Sequence, residues 1–198
     1  MTQSYHHGAL RQALLAAAET ILDRDGIEAL TLRAAAREAG VSHGAPAHHF
    51  RDITGLLTEL AAMGFLRLRD ALQEASDETD DPAGYVPALG RAYVGFARAH
   101  PGIFLLMFRS ERLDWSAPSL DLAGPAAFAF LLKEERDDGV AGYAADMPDL
   151  VRATTRWSLV HGLATLVVDG RLSAMTQMIP HADLDVLIET VLGKGLAP

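Results

Sequence analysis

Residues 31–50 read TLRAAAREAGVSHGAPAHHF, and the fold turns on how this stretch is parsed. Thr31 suits a helix N-cap, because its hydroxyl accepts from an amide of the first turn that has no other partner. Ala34, Ala35 and Ala36 favour helix and are small enough for a second helix to cross closely. Gly40 follows where that helix must stop, in the left-handed conformation that costs glycine little. Val41 is the apolar plug of the turn, and Ser42 is placed to cap a new helix. Pro46 falls in the first turn of that helix, where a missing amide is tolerated. Two short helices joined by a tight turn are expected. Taken alone, this pattern fits an ordinary helical hairpin as well as a unit that presents one helix to the major groove of DNA.

The flanks extend the pattern. Leu10, Leu14, Ala17 and Ile21 recur at helical spacing, and Gly26 ends that helix. Beyond Phe50, Asp52 is placed to cap a long helix carrying Leu56, Leu57, Leu60 and Met63 and running to about Ser76. In this arrangement the N-terminal end of the second helix of the pair reaches base edges. Its exposed residues are His43, Gly44, Ala45, Ala47 and His48. A histidine N–H donates to guanine N7 or O6, and alanine methyls pack on thymine methyls. Phe50 is read as core.

The segments GIEALTLRAAAREAGVSHGAPAHHF and YHHGALRQALLAAAETIL resemble the TetR family of transcriptional regulators. A shorter stretch, RWSLVHGLATL, resembles the Trp-His-Gly element in the C-terminal domain of one TetR subgroup. The resemblance implies phosphate contacts from Thr31, Arg33, His49 and Arg51, with Arg33 in reach of a base. It also implies a contribution from Ser42. Two positions depart from the family pattern: Ala47 stands where many relatives carry tyrosine, and Ile53 where they carry a phosphate-gripping lysine. Both losses weaken the hold on the DNA backbone.

Composition sets limits. The chain has 198 residues, enough for one DNA-reading unit and a larger helical domain, and no run of alternating β-branched residues. The fold expected is all-α: an N-terminal helix-turn-helix DNA-binding domain of three helices over residues 1–52, and a helical effector-binding and dimerisation domain over 53–198. There is no cysteine, which removes disulfides and thiolate metal sites and makes a reducing cytoplasm the expected home. No leader and no membrane span are expected, since no apolar run reaches roughly 20 residues. The net charge of −9 argues against a general nucleic-acid coat. Residues 1–52 hold five arginines against six acids, and five of the eight histidines. DNA affinity must therefore lean on helix N-termini and neutral donors.

Downstream, helices are expected over about 83–100, from Pro101, over about 120–138, over 148–168 and around Leu184–Leu192, with loops at 110–119 and 137–148. The helix at 148–168 is apolar over most of its circumference after Arg156, which requires cover on both faces. With the last helix it is expected to form a twofold seam through Val160, Leu163, Val167, Leu184, Leu187, Ile188 and Val191. A central helix wrapped within one subunit fits the same pattern. Phe96, Phe104, Met107, Phe108, Phe128, Trp157 and His161 belong to an aromatic and methionine-rich set that also includes Trp115 and Phe130. The seven are candidates to line an effector pocket, with His161 as its polar anchor, or to be plain core.

The partners expected are double-stranded DNA, a small-molecule effector and a second copy of the chain, with no membrane. No cofactor, metal site or catalytic residue is expected. There is no GxSxG, no HExxH and no cysteine nucleophile. His48 and His49 point about 100° apart on a helix and chelate poorly. His6 and His7 fall in an expected N-terminal tail. The function read is a ligand-responsive regulator, most simply a repressor. The rival is a helical ligand-binding or adaptor protein that has lost DNA recognition.

Overall fold

The turn at Gly40 closes as its residues dictate. In the computed structural model, which describes residues 3–132 and 147–196, Gly40 has φ +68°. The Val41 amide donates to the Ala36 carbonyl at 2.9 Å and the Gly40 amide to the Arg37 carbonyl at 3.2 Å. This pair of bonds satisfies the carbonyls that a helix end leaves bare. The helix so ended is α2 (Leu32–Glu38), and the Thr31 side chain accepts from Ala34 N at its other end. Before it runs α1 (Gln3–Asp25). That helix includes the backbone of His6 and His7, so the expected tail is helix instead.

After α2 the sequence expectation is met in part. A full helix from Ser42 does not form. The chain makes a single 3₁₀ turn over Ala45–His48, with Gly44 at its head and no side-chain cap, so Ser42 is not the cap that its position suggested. The Ala45 amide donates to the Ser42 carbonyl at 3.0 Å. Pro46 has no amide to continue an α-helical ladder onto Ser42, and Gly44 favours helix weakly. Asp52 then caps α3 (Ile53–Glu78), its Oδ1 accepting from Gly55 N at 2.9 Å.

The remaining helices are α4 (Pro82–Ala99), α5 (Pro101–Met107), α6 (Pro118–Leu132), α7 (Met147–Val168), α8 (Arg171–Thr176) and α9 (Leu184–Gly195), with 3₁₀ turns at Ile27–Ala29 and Ser110–Arg112. No strand occurs among the described residues. Residues 133–146 carry the end of the expected 120–138 helix and most of the expected loop after it; both lie outside the described residues. The short α8 was not foreseen.

The chain divides into two compact units. One comprises the residues up to Leu66 together with His100–Gly124; the other comprises Arg67–Ala99 and the residues from Pro125. Compactness thus follows a different line from the functional boundary expected at residue 52.

In the first unit Leu14 and Ala18 of α1 and Ala35 and Ala36 of α2 are fully buried. Helix α5 buries Ile103, Phe104, Leu106 and Met107. It approaches α3 at Gly64, where an added Cβ would collide with Ile103 and stand 2.7 Å from Met107 Sδ. Polar ties fasten the 100–119 segment to earlier residues. Asp23 Oδ1 accepts from Gly102 N at 3.0 Å, buried Thr58 Oγ1 accepts from Asp114 N at 3.0 Å, and Ser119 donates to Glu59 at 2.9 Å.

In the second unit α4 packs chiefly on α7 and α9. Arg98 pairs with Asp185 at 2.6 Å and Arg91 with Glu189 at 3.5 Å across α4 and α9. This packing corrects part of the expected seam. Val160, Leu163 and Ile188 are 5–7 % exposed within their own chain. An α-helix apolar over most of its circumference is here covered on one side by its own subunit. Among the described residues no helix is long and apolar enough to cross a membrane.

Candidate nucleic-acid interface and aromatic cluster

The cap at Thr31 and the turn at Gly40 fix the ends of α2, and the buried Ala45, Pro46 and Phe50 anchor the segment that follows. Between these anchors the polar residues face outward. Thr31, Arg33, Ser42, His43, Gly44, Ala47, His48 and Arg51 are exposed. The Thr31 oxygen accepts from Ala34 N at 3.0 Å, and its own O–H stays available to donate. Arg51 is 95 % exposed along its side chain and 4.0 Å from Asp52. His49 is half-buried, its ring 6.3 Å from Phe50. One expected base contact is corrected: Ala45 is only 9 % exposed and supports the turn from beneath.

The aromatic set does not form one group. Phe104, Met107 and Phe108 belong to the first unit, and Phe96, Phe128, Trp157 and His161 to the second. In the first unit Phe108 meets Phe104 and Phe65 edge-on, at 5.5 and 5.8 Å. Phe104 and Met107 are at most 1 % exposed and serve as core.

In the second unit the rings gather round a polar centre. Trp157 and His161 sit one turn apart on α7, their rings 5.5 Å apart, and Phe128 meets Trp157 edge-on at 5.3 Å. Trp157 Nε1–H donates to the Tyr93 hydroxyl at 3.4 Å, and that hydroxyl lies 3.0 Å from His161 Nδ1. Burial pushes the Tyr93 phenol well above its ordinary range, against a smaller opposing effect of the Trp157 bond. Tyr93 therefore keeps its proton, and its bond to Nδ1 runs in the direction that the His161 tautomer sets. In the sequence Tyr93 is one residue of the helix expected over about 83–100. Its partner stands 68 residues away, and no local pattern announces the pair.

Burial also lowers the His161 pKa from the ordinary 6.5. The folded chain binds this proton less tightly than the unfolded chain. The stability it favours is complete above about pH 6.5 and is lost as the pH falls below that value. In His161→Gln the thermal midpoint is expected to fall less than in wild type between about pH 7.5 and 5. Equal losses in the two proteins would contradict the burial of this ring.

An exposed turn-and-helix edge on a small helical base, followed by a larger helical region, is the arrangement expected of a helix-turn-helix regulator. Residues 14–60 match the model of the bacterial regulatory proteins of the tetR family, and residues 86–192, more than half of the chain, match the tetracyclin repressor-like C-terminal domain. The chain belongs to the TetR family of transcription regulators. Regulators of this family bind DNA and small-molecule ligands and function as dimers.

A protein of unknown function from Rhodococcus sp. RHA1 is similar over 99 % of this chain and 100 % of its own, with 38 % identity and a TM-score of 0.75. The putative regulatory protein SCO4313 shares the fold, with 23 % identity, full coverage of both chains and a TM-score of 0.75. The uncharacterized HTH-type transcriptional regulator YobS of Bacillus subtilis (strain 168) is 24 % identical over 163 residues, covering 81 % of this chain and 80 % of its own length.

Proposed function

We propose that this chain is a repressor that binds a palindromic operator as a homodimer and releases it when a small molecule binds the C-terminal region. The observation that carries this reading is the outward set of Arg33, Ser42, His43, Ala47 and His48, held by a capped helix and by the buried Pro46 and Phe50. Thr31, Gly44, His49 and Arg51 complete it as backbone contacts and as a point of close approach.

A palindrome needs two copies, and a face of α7 and α9 is suited to a mate. Gly162 and Gly193 have no heavy atom within 4 Å of where a Cβ would stand, so a second backbone can come close. Leu166 and Val186 on the same helices are 38 % and 64 % exposed. Val167, Leu184, Leu187 and Val191 are half-buried and add edges to the seam.

The effector's neighbourhood is the Tyr93, Trp157 and His161 group with Phe128 and Phe96. Trp157, His161 and Gly162 also fit the Trp-His-Gly subgroup. Helix α3 belongs to both compact units and is the element through which binding reaches the DNA-reading segment. Half-sites one DNA turn apart are about 34–36 Å between centres. An effector that favours a mis-spaced state by about 1.4 kcal/mol weakens the operator complex tenfold. The compartment is the cytoplasm, where the DNA is.

A second reading is favoured by Ala47 and Ile53, which lack the phosphate-gripping side chains of many relatives: a helical ligand-binding or adaptor protein without DNA recognition. Gel retardation with DNA from upstream of its own gene separates the two. A dimer-sized shift, resistant to unrelated competitor DNA, is expected. Binding no stronger than to the competitor would favour the adaptor.

A further inference from the structure

The N-terminal 52 residues carry more acids than arginines, which opposes a negatively charged partner. The structure occupies those acids one by one. Glu19 lies 3.6 Å from the His100 ring, and the Asp23 carboxylate accepts from Gly102 N. Asp25 and Glu38 are both held by Arg24, at 2.9 and 3.1 Å. Glu28 pairs with Arg112, and Asp52 caps α3. Each of the six thus has a partner.

Two of the arginines are treated differently. Arg11 is paired with Glu59 and Arg24 with its two acids. Arg33 and Arg37 are exposed and have no acidic partner among the described residues. They stand four residues apart on α2, hence on one face, about 6 Å apart along the axis. Glu38, the acid next in sequence to Arg37, is turned to Arg24 by two bonds, at 3.3 and 3.1 Å. Like charges at this spacing repel, which offsets what Arg37 gains from its place in the last turn of α2. The first helix of a helix-turn-helix pair crosses the DNA backbone.

We propose that Arg37 is a further cationic phosphate contact in each subunit, beside Arg33 and Arg51 and one helical turn beyond Arg33, its guanidinium fork set on the oxygens of an operator phosphate. The inference rests on the DNA-binding reading and deepens it. It supplies the backbone grip that the sequence lost at Ala47 and Ile53.

The test measures the affinity for a duplex that the wild-type protein selects from a random pool, over about 50–300 mM salt. Each cationic phosphate contact adds about 0.9 to the steepness of log K against log salt. R37Q removes one contact from each subunit of a dimer, so the slope is expected to fall by about 1.8, whatever the sequence of the duplex. R37K keeps the charge and is expected to keep most of the slope. R171Q changes an arginine on α8 and is expected to leave the slope at the wild-type value.

A wild-type slope in R37Q, alongside a reduced slope in R33Q, would overturn the role of Arg37 and leave the DNA-binding reading standing. An equal fall in R37Q and R171Q would also overturn it, as an effect of net charge alone. If the wild-type protein selects no duplex, both readings fail.

Discussion

Phe65→Ala is expected to lower the stability of the chain by about 3–5 kcal/mol, the cost of a large cavity in a closed core. Phe65 is fully buried on α3, with Phe108 at 5.8 Å and Trp115 at 6.3 Å, both edge-on. Neither neighbour is placed to fill the space: Phe108 is held against Phe104, and Trp115 lies on a loop. For a chain of this length the thermal midpoint should fall by roughly 6–20 °C. The loss is a large part of the total stability of an ordinary domain, about 5–15 kcal/mol, so the DNA-reading segment in the same unit should lose its support on warming. A fall of one or two degrees would mean that the 100–124 segment is not core to the N-terminal unit.

The second large effect concerns recognition. His48→Ala should cost about 1–3 kcal/mol per half-site, provided that its ring reads a base edge. Two half-sites double that cost, so the loss on a palindrome is roughly thirtyfold or more. Discrimination should relax at one position of each half-site and stay intact elsewhere. Equal weakening on every duplex, specific or not, would make His48 a backbone contact. In this respect His48 and Arg37 predict opposite signatures, since loss of a phosphate contact weakens all sequences alike.

Much of the fold was legible because the signals are local. Thr31, Gly40 and Asp52 each act through an amide or carbonyl within five residues, and all three perform as their residue types suggest. The helix after Ser42 was over-read. Ser42 suited a cap, but Pro46 and Gly44 remove one ladder bond and weaken the next, so a single tight turn wins and Ala45 is buried. What was not legible depends on partners far away in sequence. Glu28 finds Arg112, Asp23 finds the amide of Gly102, and Tyr93 finds His161. The same gap hid the special position of Arg33 and Arg37, since their isolation follows from where the acids go. Val160, Leu163 and Ile188 show the reverse error, because an apolar stripe does not say whether its own chain or a mate covers it.

The central claim is that two copies of the Thr31–Arg51 segment read one piece of DNA together. Enrichment of duplexes from a random pool, with the number of chains per duplex measured by sedimentation, tests it directly. The account predicts an inverted repeat whose half-sites lie one helical turn or a multiple of it apart, carrying an even number of chains. An enriched sequence without internal symmetry, held by one chain, would contradict it.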